Sequence, residues 1–186
     1  MILVHSGNRI DHPDRVPARF PARREKAVAA RLGELLDLLA PTAVVTAAAA
    51  GADLLVAEAA WERSVPLHVV LPCPRQRFRE VSVADQGQRW ASAFDLMMDH
   101  VTGDERSSLV ALAYEPDDAG FRRGNQALLD RATSLDAGGV LAVAVRPAVR
   151  SSRPSVTDDF VDRARAAGLF VVEIDPGPGG PHSAST

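Results

Sequence analysis

The segment Ser6-Gly7-Asn8-Arg9 carries side chains suited to binding a polar ligand, and it follows an apolar run at the start of the sequence. Loops that leave rigid elements are where binding chemistry is commonly found. Gly7 permits a turn, Asn8 offers an amide, and Arg9 offers a positive charge. Ser6, Gly7, Asn8 and Arg9 therefore form the first candidate ligand-binding segment.

A second candidate is a stretch of small residues ahead of an amphipathic segment. Ala50, Gly51 and Ala52 would let a ligand approach the backbone closely, and a helix beginning near Gly51 or Ala52 would direct free amides at an anion. The same small residues could instead pack the helix against a sheet. Asp53 lies in the first turn, where the helix dipole favours a carboxylate, and Glu58 follows on the same helix.

A third candidate precedes the last amphipathic segment. Ser155 or Thr157 can cap that helix, and Arg153 places a positive charge just upstream. Together with the free amides of the first turn they predict a phosphate or ribose site. Asp158 and Asp159 are either ordinary first-turn acids or groups that bind ribose hydroxyls or stabilise an oxocarbenium-like centre.

Three further polar residues are weaker candidates. Arg75 and Arg77 follow the third apolar run and could reach a phosphate, and Asn125 could cap a helix or contact a base. The five histidines and Cys73 show no metal-ligand spacing, and no nucleophile-elbow motif is present. Neither a metal nor a cofactor is expected.

Six short aliphatic runs alternate with longer amphipathic stretches, and this alternation is what must position the candidate residues. It predicts an α/β fold with a doubly wound, mostly parallel, Rossmann-like sheet and helices on both faces. Because apolar residues do not alternate with polar ones, each strand is expected to be buried on both faces. The predicted strands are 1–5, 42–47, 67–72, 108–114, 139–145 and 169–174.

Two regions depart from this alternation. Residues 73–107 exceed a plain crossover and are expected to form one or two helices, with a lid as one interpretation. Residues 176–186 are rich in Pro, Gly and Ser and are expected to be a disordered tail or linker. One domain over residues 1–175 is the resulting prediction.

Composition limits the classes of partner. A formal charge of −3 and a pI near 5.9 argue against wrapping of nucleic acid or docking on anionic membranes. No apolar run reaches the roughly 18 residues that span a bilayer, and none resembles a signal peptide. With a single cysteine, the expected location is the cytoplasm.

The candidate segments, taken in order, resemble the SLOG/LOG superfamily of Rossmann-like nucleotide-binding proteins. The resemblance rests on HSGNRID after the first strand, AAAAGADLLVAEAA after the second, LHVVLPCPRQRF at the third, and VTDDFVDRARAAGL near the end. This superfamily includes the LOG phosphoribohydrolases, the DNA-processing protein DprA, and ligand-sensing domains of bacterial immune effectors and TRPM channels. The resemblance extends over residues 1 to about 174.

The resemblance implies a nucleotide or nucleotide-derived ligand held by residues 6–9, 47–53 and 153–159, with Arg75 and Arg77 as phosphate partners. It also implies a bacterial protein, a homodimer, and a fused or partner signalling module. The chain departs from the phosphoribohydrolase pattern P-G-G-x-G-T-x-x-E, because it has no glycines there and the shorter Asp159 stands in place of the glutamate.

Three functions are consistent with these features. The first is a module that binds or senses a nucleotide-like small molecule. The second is a phosphoribohydrolase-type N-glycosidase acting on nucleoside 5′-monophosphates, with Asp159 or Glu58 stabilising the ribosyl cation. The third is a vestigial scaffold that serves protein contacts alone.

Overall fold

The computed structural model describes residues 1–150 and 152–177. Within them, six strands alternate with α-helices, and 3-10 turns lie at Ala22–Arg24 and Ala84–Gln86. The elements in chain order are β1 (Ile2–Gly7), α1 (Glu25–Leu39), β2 (Ala43–Thr46), α2 (Ala52–Glu62), β3 (Leu67–Leu71), α3 (Arg75–Ser82), α4 (Gln88–Gly103), β4 (Ser108–Ala111), α5 (Asp118–Leu135), β5 (Val140–Val145), α6 (Val156–Ala166) and β6 (Phe170–Ile174).

The strands form one parallel sheet in the order β4-β3-β2-β1-β5-β6. The order reverses between β1 and β5, where Ile2 pairs with Val140 and Gly7 with Val145. The fold is therefore the doubly wound, Rossmann-like α/β arrangement that the alternating pattern predicts. In such sheets the crevice for ligands opens beyond the carboxyl ends of the strands at the reversal point.

Helices cover both faces of the sheet. One core cluster joins Leu3, Val44 and Val143 to α1, α2 and α4, and a second joins Val4, Val45 and Ala144 to α5 and α6. Neighbouring residues of a strand thus alternate between two apolar layers, which is why the central strands read as continuous apolar runs.

The prediction that every strand is buried on both faces is wrong at the two edges. β4 is half-buried to exposed, with Val110 41% exposed, and Phe170 of β6 is 73% exposed. Each of these strands has a neighbour on one side only, so part of its apolar surface faces water.

Residues 73–107 form the two predicted helices, α3 and α4. The buried residues of α4 include Phe94, Met97 and Met98 in the core cluster beneath β3, so this helix is a structural layer of the fold. Only α3 and the turn after it reach the crevice.

The predicted tail lies almost wholly outside the described residues. Its first two residues are described: Arg24 Nε donates to the Pro176 carbonyl at 2.6 Å, and Gly177 N donates to Asp175 Oδ1. Among the described helices, none is long and apolar enough to cross a membrane.

Candidate functional site

A cavity of about 630 Å³ lies at the carboxyl ends of β1, β2, β3 and β5, at the reversal point of the sheet. Ligand sites are commonly concavities of roughly 300–1,000 Å³ at such positions. Nine of the residues selected from the sequence line it: Ser6, Gly7, Asn8, Arg9, Asp53, Asn125, Arg153, Ser155 and Thr157.

Backbone groups of the loop that follows β1 cover the amino terminus of α2. Ile10 N donates to the Ala50 carbonyl at 3.0 Å, Ala52 N donates to the Asn8 carbonyl at 3.2 Å, and Arg9 forms a bridge with Gly51. Ala50, Gly51 and Ala52 therefore lie under residues 8–10, the start of the loop after β1, and do not line the cavity. Of the two interpretations of these small residues, the packing one matches this arrangement.

Asp53 holds the loops after β1 and β2 together. Its Oδ1 accepts from Gly7 N at 2.9 Å and its Oδ2 accepts from Ala49 N at 3.3 Å, and Asp53 is buried. His5 Nδ1 lies 3.1 Å from Asp53 Oδ1 without the alignment of a hydrogen bond. Gly7 ends β1 and is needed for close approach, because a Cβ there would lie 2.3 Å from Ala52 Cβ.

The side-chain amide nitrogen of Asn8 donates no hydrogen bond to any described residue. The residue is 7% exposed, it lines the cavity, and its buried Nδ2 has no hydrogen-bond partner. A buried amide without a partner is costly, and such groups often mark a position that a ligand or water completes.

Residues 11–20 form a hairpin-like loop at the cavity mouth. Asp11 closes its base: Asp11 Oδ2 accepts from Arg19 N at 2.7 Å and Phe20 N at 2.8 Å, and Asp11 N donates to the Phe20 carbonyl. The loop contains a cis Val16–Pro17 peptide bond. It contributes Asp11, His12, Arg15 and Arg19 to the cavity lining.

The arginines of the cavity differ in their partners. Arg9 pairs with Asp85 and donates to the Val81 carbonyl, and Arg15 lies 3.5 Å from Asp11. The Arg19 guanidinium has no carboxylate partner within residues 1–150 and 152–177. The Arg19 guanidinium therefore has no competing carboxylate among the described residues and can bind an anionic ligand group.

The first turn of α6 directs free amides at the cavity. Ser155 is the N-cap, and its Oγ accepts from Asp158 N while the Asp158 carboxylate accepts from Ser155 N, forming a capping box. The amides of Val156 and Thr157 bind no acceptor among the described residues, and both residues line the cavity. Free amides at a helix start are a favourable position for an anion.

The two acids of that turn are occupied by protein groups. Asp158 is buried and lies 3.2 Å from Arg146, which also pairs with Glu173. Asp159 accepts from Arg163 Nε at 2.8 Å and from Asn125 Nδ2 at 3.0 Å. Neither Asp158 nor Asp159 lines the cavity.

Asn125 lies on the inner face of α5, not at a helix end, so the capping alternative does not apply. Helix α5 begins at Asp118 with Asp117 as its N-cap. Asn125 is 3% exposed and donates to the Val156 carbonyl at 2.8 Å. It lies beside an apolar wall of the cavity formed by Val70, Pro72, Phe121 and Leu128.

Three predicted residues lie away from the cavity. Arg75 and Arg77 belong to α3 and pair with Asp99 and Glu80, respectively. Glu58 lines a separate groove between α1 and α2, where burial raises the pKa of its carboxyl. Neither acid that was expected to stabilise a ribosyl cation therefore faces the cavity.

The hairpin-like loop, and the residues of the α5 face other than Asn125, were not among the residues predicted from the sequence. The loop was detectable as an unusually long connection between the first strand and the first helix. The α5 face was detectable as the i, i+3, i+4, i+7 spacing of Phe121, Gly124, Asn125 and Leu128. No cluster of metal-ligating side chains is present in the part of the chain that the structure describes.

Comparison with solved structures shows the fold. The chain is similar to DNA processing protein A (DprA) from Streptococcus pneumoniae, with a TM-score of 0.57 and 16% sequence identity. The match covers 97% of this chain and 51% of that one, so the chain spans about half the length of DprA. No protein-family model matches the sequence, and no curated protein matches it. The chain thus shares a Rossmann-like fold with that protein.

Proposed function

We propose that the chain binds a nucleotide or nucleotide-derived ligand in the cavity, with an anionic group of the ligand at the first turn of α6. The observation that carries the proposal is a pair of amides, Val156 N and Thr157 N, that have no acceptor among the described residues and belong to residues lining a cavity at the reversal point of the sheet. Free helix-terminal amides and the helix dipole favour a phosphate.

The rest of the lining is consistent with a ligand of mixed character. Arg19 supplies positive charge without a carboxylate partner among the described residues, and Asn8 supplies an unsatisfied donor. The wall that includes Phe121 and Leu128 supplies apolar contact suited to a base or a sugar face.

The two acids expected to serve an N-glycosidase do not lie in the cavity, which supports the binding proposal. Asp159 is engaged by Arg163 and Asn125, and Glu58 lies in another groove, so neither carboxylate is available in the cavity. A cation-stabilising carboxylate must lie against the ribose to act.

The test is a thermal-shift and calorimetric screen against nucleoside monophosphates, NAD, ADP-ribose and cyclic nucleotides, with free base followed by chromatography. A ligand that binds the native state alone raises Tm, because it stabilises that state by RT ln(1 + [L]/Kd). We expect a shift without free base. Release of free base would contradict the binding assignment, and absence of any shift would favour the vestigial scaffold.

The variant Val156→Pro tests the anion end directly. Proline is tolerated at the first helical position, and Ser155 already has the extended backbone that precedes proline (φ −76°, ψ 172°). The change removes one amide, and since a hydrogen bond to a charged group contributes roughly 1.5–3 kcal/mol, affinity should fall by about tenfold or more.

Two controls separate this effect from general damage. Val156→Ala truncates the side chain and keeps the amide, and Gln88→Pro places proline at the first position of α4, away from the cavity. Both should bind nucleotide like the wild type. Equal affinity of Val156→Pro and the wild type would rule out the α6 anion site.

Assembly and location remain predictions. We propose a cytoplasmic homodimer that reports ligand occupancy to a partner or fused signalling module. Sedimentation velocity with and without ligand measures the oligomeric state, and a monomer at all concentrations would refute the dimer.

A further inference from the structure

Asn125 has a carboxamide whose orientation is fixed by its neighbours. Its Nδ2 donates to the Val156 carbonyl at 2.8 Å and to Asp159 Oδ2 at 3.0 Å. Both partners are acceptors, so the reverse orientation would place an oxygen against two oxygens. Both amide protons are therefore used within the protein.

The remaining polar atom, Asn125 Oδ1, is the one available to the cavity. Asn125 lines the cavity, and its Oδ1 accepts no hydrogen bond from any described residue. A side chain that is 3% exposed and held on its donor side presents its acceptor beside the apolar wall formed by Val70, Pro72, Phe121 and Leu128.

Asp159 fixes the orientation of the Asn125 amide from outside the cavity lining. Its Oδ2 accepts from Arg163 Nε as well as from Asn125, and its Oδ1 lies 3.4 Å from Arg122 NH1. Arg122 of α5 and Arg163 of α6 thus position the Asp159 carboxylate, and this carboxylate positions the Asn125 amide. Asp159 acts on the cavity through Asn125, without lining it.

We infer that Asn125 is a specificity-determining residue that accepts a hydrogen bond from a ribose hydroxyl, and that Asp159 is its positioning residue. This inference rests on the proposed function. Asn125 bonds the carbonyl of Val156, whose amide belongs to the anion-binding turn. In a nucleoside 5′-monophosphate the sugar is attached directly to the phosphate, so a phosphate at that turn brings the ribose into the part of the cavity that Asn125 lines.

The experiment compares AMP, GMP, CMP and UMP with their 2′-deoxy and 3′-deoxy counterparts by calorimetry on the full chain. A site built to accept from a hydroxyl rejects the analogue that lacks it, because its acceptor then faces the bound ligand without a donor. We expect the ribonucleotide to bind about tenfold or more tightly than one of the two deoxy forms, and which form that is identifies the hydroxyl.

Variants separate specificity from folding. In Asn125→Ala the ratio of ribonucleotide to deoxynucleotide affinity should fall to about one, while deoxynucleotide affinity changes little. In Asp159→Ala the ratio should fall partway, because the Val156 carbonyl still holds the amide. Gln76→Ala, an exposed amide on α3, should keep the wild-type ratio.

Each outcome is decisive. Equal binding of ribonucleotides and deoxynucleotides by the wild type, or an unchanged ratio in Asn125→Ala, would overturn the inference and leave nucleotide binding standing. Failure of every nucleotide to bind would overturn the proposed function and this inference with it.

Discussion

At the residue scale, the chemistry of the site depends on which polar atoms the protein itself has already used. Asp53, Asp158 and Asp159 all follow predicted helix starts, and in the structure each carboxylate is occupied by protein donors. Asn8 Nδ2 and the amides of Val156 and Thr157 are among the groups of the cavity lining left without partners among the described residues. The sequence identifies residue types, but it does not show which of their hydrogen bonds are already made.

Replacing Asp53 with Asn should destabilise the fold. One oxygen becomes an NH₂ group that must face either Gly7 N or Ala49 N, and a buried donor then lacks an acceptor. We expect a loss of about 1–3 kcal/mol in the free energy of unfolding, measured by urea titration. Asp130→Asn, an exposed acid on α5, is the matched control and should be nearly neutral. Wild-type stability of Asp53→Asn would show that Asp53 does not bind the two loops together.

Glu58 should make stability depend on pH. Burial raises the pKa of its carboxyl, opposed by Arg89 and assisted by Glu25 and Glu62. A raised folded-state pKa gives stability that is present below the unfolded pKa and lost as pH rises through the folded value. Glu58→Gln should therefore raise Tm at pH 7 and leave it unchanged at pH 3.

The control for that change is Glu34→Gln, which alters an exposed acid of the same groove. It should keep the wild-type difference in Tm between pH 7 and pH 3. An equal gain for Glu58→Gln at both pH values would show that the effect is not due to titration of the carboxyl.

At the element scale, the alternating pattern predicts the fold because a parallel sheet imposes continuous apolar runs and amphipathic crossovers. All six strands and the helices between them follow from it. The pattern fails at β4 and β6, since a short apolar run does not show whether its strand is central or at an edge. It also fails at α5, whose cavity-facing residues bond to α6, a contact between helices distant in the sequence.

The contact between residues 8–10 and the start of α2 should depend on glycine at position 51. Gly51 has φ +124°, and a Cβ there would lie 2.5 Å from Ile10 N. Both the backbone conformation and the contact oppose any other residue. Gly51→Ala should cost about 2 kcal/mol or more of stability, measured by thermal and urea unfolding.

Gly103→Ala is the informative control, because a Cβ at Gly103 would meet no atom within 4 Å. Alanine there, at the end of α4, should be neutral or slightly stabilising. If Gly51→Ala proved as stable as Gly103→Ala, the closed α2 terminus described above would be incorrect.

At the scale of the whole molecule, Arg–Asp pairs on several surfaces should make the fold sensitive to acid. Hydrogen bonds from Arg63, Arg79 and Arg150 lower the pKa values of Asp37, Asp95 and Asp162, respectively. A lowered folded-state pKa gives stability that is present above the unfolded value, 3.8, and lost as pH falls through the folded one.

Urea unfolding at pH 7, 5 and 2.5 measures this effect. We expect these pairs to change the free energy of unfolding little between pH 7 and pH 5 and to lower it at pH 2.5. The triple variant Asp37→Asn, Asp95→Asn and Asp162→Asn should show a smaller decrease. An equal decrease in the variant would assign the acid sensitivity to other groups.

The pairing of β1 with β5 also has a consequence for biosynthesis. β1 emerges first from the ribosome, but its neighbour across the reversal point begins only at Val140, and the cavity wall from α6 follows later still. At roughly 5–20 residues per second, that is a delay on the order of ten seconds. The cavity of a nascent chain is therefore incomplete until the start of α6 has left the ribosome.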